Sequence, residues 1–142
     1  MKTSKEILSS LLKTTQMGQV GIRSVLDAAR GQGLRQALHS QLQEYDSIET
    51  EAHAIASRRG WEVKELDPAV RFMADTMTRM KLTGGDTDSK IAGMMIQGNT
   101  KGMIKGLKNL HRSDGRDQTL QVLSQKLLDC ENANILQMQE FL

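Results

Sequence analysis

The residues of this 142-residue chain with the types and spacing to do chemistry are carboxylates and amides set among apolar residues at helical intervals. Glu131 is surrounded at three and four residues by Leu127, Leu128, Asn134 and Ile135, with Met138 one turn further on. A helix displays i, i+3 pairs on one face, so Glu131 and Asn134 leave it together. Glu44 and Ser47, followed by Ile48, repeat the pattern of Glu131 and Asn134 followed by Ile135. Gln16, Gly21 and Leu26 align with Gln97, Gly102 and Leu107 at a constant separation of 81 residues. Carboxylates on inward faces can bridge hard cations, with imidazoles as terminal ligands. Amides facing the same carboxylates can instead satisfy them as a buried polar layer that fixes helix register.

Other constellations are thinner. Glu49 and His53 stand at i, i+4 and could share one metal ion, but no third ligand is evident in the sequence. Cys130 has no second cysteine and no adjacent histidine, which fits a small buried side chain in a reducing, cytoplasmic setting. No G-x-S-x-G, G-x-G-x-x-G or phosphate-loop spacing occurs, so no catalytic residue is assigned. Net charge is +2, which demands no polyanionic partner, but its distribution is uneven. Residues 41–67 carry seven acids against three bases, and residues 90–116 carry six bases against one acid. Lys101, Lys105, Lys108 and Arg112 form a basic stripe at helical spacing. It lacks the aromatic residues of a nucleic-acid platform, so DNA ranks below a solvated face.

The elements that must position these residues are helical. One proline and 3% aromatics argue against a β-sandwich. No apolar run is long enough to span a bilayer, and the first residues do not read as a signal peptide. Apolar periodicity predicts helices at about 4–30, 34–59, 68–82, 87–111 and 116–142. Thr3 or Ser4 caps the first, with Glu6 in its first turn, and Gly31 and Gly33 stop it in a left-handed glycine conformation. Asp67-Pro68 starts a short helix carrying Met73, Met77 and Met80, inside a connection of about 25 residues. The links on either side of that connection are short. The expectation is one all-α domain over 1–142, with two antiparallel helical hairpins joined by a long crossover.

In topology and spacing the whole chain resembles the ferritin-like four-helix-bundle superfamily, and within it small bacterial proteins of unassigned function. Gln16-Met17-Gly18 and Met95-Ile96-Gln97-Gly98 carry the closest local likeness. The resemblance implies ligand positions at Gln16, Glu44, Gln97 and Glu131, with Ser47 and Asn134 where histidines would stand. Two carboxylates do not balance a metal pair, so a polar layer without a di-metal site is expected. The corresponding alternative is an iron or manganese protein using Glu44, Glu131 and His53. The resemblance also keeps DNA association through residues 101–112 as a further alternative. The methionine-rich short helix is expected to leave apolar surface for a second copy of the chain or another protein, with a homodimer preferred over a monomer.

Overall fold

Three of the five helices begin where a side chain satisfies one of the first backbone N–H groups. In the computed structural model, which describes residues 1–142, α1 (Ser4–Leu26) opens with a capping box: Thr3 Oγ1 accepts from Glu6 N, and Thr3 N donates to the Glu6 carboxylate. Asp67 accepts from Ala69 N and Pro68 occupies the first turn of α3 (Pro68–Lys81). Asp117 accepts from Leu120 N to start α5 (Gln118–Met138), which a 3-10 turn over Gln139–Phe141 extends. The remaining helices are α2 (Gln32–Arg59) and α4 (Thr87–Arg112). The chain is all-α, with no strand.

Three boundaries differ from expectation, among them the start of α2 at Gln32 rather than residue 34, which places Gly33 inside that helix. α1 stops at Leu26 rather than about residue 30, because Ala28 N and Ala29 N both turn back onto Val25 O. Gly31 does not terminate it in a left-handed conformation: it has φ −73° and is the N-cap residue of α2. Its lack of a side chain serves contact instead, since a Cβ there would stand 3.0 Å from the Asp88 carboxylate. Gly60, by contrast, closes α2 at φ 64°, as its position after Arg58 and Arg59 suggests. The last helix starts at Gln118, two residues beyond the expected position, because Asp117 is its cap.

Helix ends are tied to one another by polar contacts. Asp88, in the first turn of α4, accepts from Arg30 N and Gly31 N at 2.8 Å each. At the other end of α4, Asn109 bonds both Lys2 Nζ and Ser10 Oγ. α1 and α4 therefore run in opposite directions. The Arg59 guanidinium grips the Asp117 carboxylate through both nitrogens, tying the end of α2 to the start of α5. Between α2 and α3 the extended chain lies along α1: Lys64 N donates to Ser9 Oγ, and Leu66 N donates to Gln16 Oε1.

The core draws on α1, α2, α4 and α5, with Leu8, Leu12, Leu38, Ile48 and Ile91 fully enclosed. Burying each such side chain contributes about 2 kcal/mol. α3 packs on α1 and buries none of its residues. Val70, Phe72, Met73, Met77 and Met80 on it are all exposed. No helix is long and apolar enough to cross a membrane.

Candidate functional site

Small residues open a space between α1, α3 and α4. Gly18 and Gly21 on α1, Ala74 on α3 and Gly98 and Gly102 on α4 line a cavity of about 470 Å³. Its floor reaches Gln41 and Tyr45 on α2 and Glu131 on α5. Two of the glycines are closely approached by side chains from other helices. A Cβ on Gly18 would stand 2.5 Å from the Tyr45 ring, and one on Gly102 would collide with the Glu131 carboxylate.

The floor is polar and incompletely paired. Tyr45 donates its hydroxyl to Asn99 Oδ1 at 2.7 Å, and Asn99 Nδ2 donates to Met95 O at 2.8 Å. Gln41 Nε2 donates to Gln137 Oε1, but Gln41 Oε1 is buried with no partner. Glu131 is 2% exposed, and its Oε1 likewise has none. Each orphaned oxygen costs about 1–3 kcal/mol. Burial pushes the Glu131 carboxyl up to about 8, so at neutral pH it is mainly the uncharged acid. Burial, reinforced by Glu131, also raises the Tyr45 hydroxyl well above its ordinary value.

The outer part of the cavity has the opposite character. Lys13 from α1, Lys81 from α3 and Lys101 and Lys105 from α4 line it. None of the four is in an ion pair. Partial desolvation and then the neighbouring Lys13 and Lys2 charges depress the Lys105 ammonium. Met17, Met94 and Met95 add apolar wall. An arrangement with apolar walls and a few polar groups at its ends suits binding of a small organic molecule.

The expected polar layer of Gln16, Glu44, Gln97 and Glu131 does not converge. Gln97 and Glu131 line the cavity, although Gln97 is exposed. Gln16 is buried but turned towards the segment after α2. Its Nε2 donates to Glu49 and Glu65, and its Oε1 accepts from Leu66 N. Glu44 is exposed and accepts from the Cys130 thiol at 3.1 Å. Asn134 donates to the same sulfur, while Ser47 is exposed. Burial, with Glu44 next, pushes the Cys130 thiol far up, which leaves it a poor nucleophile. The residues missed on the floor are Gln41, Tyr45 and Asn99. Gln41 and Tyr45 were marked only by their i, i+4 spacing on the face that continues to Ile48.

The donor set does not fit a metal pair: Glu131 is the only carboxylate in the cavity, and no histidine lines it. His53 does not join Glu44 and Glu131. Its Nε2 meets Glu65 Oε1 at 2.7 Å, and Glu49, His53 and Glu65 present ligand atoms within 4.8 Å of one another. The third group absent from the helical pattern, Glu65, thus comes from the extended segment before α3. Of the basic stripe, Lys101 and Lys105 line the cavity, whereas Lys108 and Arg112 are exposed outside it.

Comparison of the chain with protein-family models, with curated proteins and with solved structures finds no match.

Proposed function

We propose that this protein is a non-catalytic small-molecule-binding bundle of ferritin-like arrangement, with a ligand cavity where such bundles hold metals. The arrangement is supported by the opposed directions of α1 and α4, and by the Arg59–Asp117 tie between α2 and α5. The extended segment that follows α1 before α3 supports the long crossover. The observation that carries the binding reading is the cavity of about 470 Å³ ending on a buried, partnerless Glu131 oxygen. An orphaned polar atom beside a cavity costs stability that a ligand can return.

The test is one-site binding of the fluorescent probe anilinonaphthalene sulfonate, whose apolar rings and acid group match the walls and the lysines. A Cβ on Gly98 meets nothing within 4 Å, so Gly98→Phe fills the cavity without a backbone clash. One site per chain, lost in Gly98→Phe, supports the reading. Unchanged binding in that variant overturns it.

Self-association is a second reading, favoured by α3. Its exposed Val70, Phe72, Met73, Met77 and Met80 gather apolar surface that a second copy would cover in a two-fold homodimer. Sedimentation equilibrium should show a dimer that Phe72→Glu converts to monomer. A monomeric parent chain removes this reading and leaves the cavity untouched.

A further inference from the structure

The chemistry along the cavity defines its occupant more closely than size alone. We infer that the cavity takes a small organic anion with an apolar stem, its acid group among Lys13, Lys101 and Lys105 and a hydroxyl at its far end bonded to Glu131 and Gln41. This rests on the reading of the cavity as a binding site, and it specifies the ligand's polarity and direction.

Three observations converge on it. The lysines come from two facing helices and have no carboxylate partner, so an anion between them relieves repulsion among like charges. Met17, Met94 and Met95 offer unbranched, adaptable contacts that suit a flexible chain. At the floor, Gln41 Oε1 and Glu131 Oε1 both lack a hydrogen-bond partner. A hydroxyl is the group that satisfies such a floor. Its single hydrogen donates to the amide oxygen, and its own oxygen accepts from the protonated Glu131 carboxyl, the form that burial favours at neutral pH. A purely apolar tail leaves both oxygens orphaned, and a second acid group would have to bury its own charge where burial already holds the Glu131 carboxyl uncharged.

The lysines also explain why the basic stripe divides. Lys101 and Lys105 serve the cavity, and Lys108 and Arg112 stand apart from it. A binding surface for duplex DNA would use the four together on one open face.

The test compares matched straight-chain probes by calorimetric titration: 8-hydroxyoctanoate, octanoate, 1,8-octanediol and 1-octanol. The hydroxy acid should bind about tenfold tighter than octanoate and about tenfold tighter than the diol, one hydrogen bond or ion contact each. Lys105→Met should erase the preference for the acid, and Glu131→Leu should shrink the preference for the hydroxyl. Added salt should weaken only the acid preference. Lys105 is exposed, so its variant tests the lysines without disturbing the core. Equal affinity of 1-octanol and the hydroxy acid, with loss of both in Gly98→Phe, overturns the inference and leaves the cavity reading standing. Failure of all four probes to bind a parent chain that does bind anilinonaphthalene sulfonate at one site overturns the inference alone, and failure of that dye as well overturns both.

Discussion

Glu131 on α5 occupies the space that a side chain at Gly102 on α4 would fill. The glycine gives up helix propensity, about 1 kcal/mol relative to alanine, to let a carboxyl group lie against backbone. Gly102→Ala should therefore destabilise the protein by about 1–3 kcal/mol in urea denaturation, despite the propensity gain. In a Glu131→Ala background the same substitution should be neutral or stabilising, because the colliding carboxylate is gone. Equal effects in both backgrounds would show that the two residues do not share that space.

The same carboxyl group makes stability depend on pH. Burial raises Glu131 from an ordinary 4.5 to about 8. Between those values the folded protein keeps a proton that the unfolded chain has released, so stability falls as pH rises. The steepest slope from one such group is about 1.4 kcal/mol per pH unit. The effect is absent below the unfolded value and complete above the folded one. Glu131→Gln carries no titrating proton and should flatten the stability profile between pH 5 and 8. Parallel profiles for the two proteins would place the Glu131 titration elsewhere.

Asp117 has the opposite sign. The Arg59 guanidinium beside it lowers its carboxyl from 3.8 to about 2. Its contribution is present above the unfolded value and lost as pH falls through the folded one. Asp117→Asn keeps an N-cap oxygen for α5 but removes the charge that Arg59 grips. It should cost about 1–2 kcal/mol at pH 7 and nothing below pH 2, read from denaturation midpoints. A constant cost across that range would assign the effect to helix capping alone.

Helices and their order were legible because apolar periodicity and caps are local signals. Asp67-Pro68 and Gly60 perform the roles their types suggest. The site was legible only in part. Glu131 stood out because apolar neighbours surround it at three and four residues. Its supposed counterparts failed because equal spacing does not guarantee equal burial. Gln16 is enclosed and Gln97 exposed, while Glu131 is enclosed and Glu44 exposed. Which face of a helix becomes interior is settled by what covers it, and the segment after α2 covers Gln16. Glu65 is likewise invisible to helical periodicity, because it belongs to no helix and reaches His53 only through the path of the chain.

That path depends on Gln16. Its amide oxygen accepts from Leu66 N at 2.8 Å, and its nitrogen stands between the carboxylates of Glu49 and Glu65 at 3.1 and 2.8 Å. Gln16→Leu would preserve volume but leave a backbone donor unpaired and two carboxylates with one fewer donor between them. The expected cost is about 1–3 kcal/mol. A general packing defect would lower protection of every amide through global unfolding. Loss of this tie should act locally, so hydrogen exchange at Leu66 N should accelerate far more than at core amides such as Ile22 and Ile48. Unchanged protection at Leu66 would mean that packing of α3 on α1, rather than the glutamine, holds the segment in place.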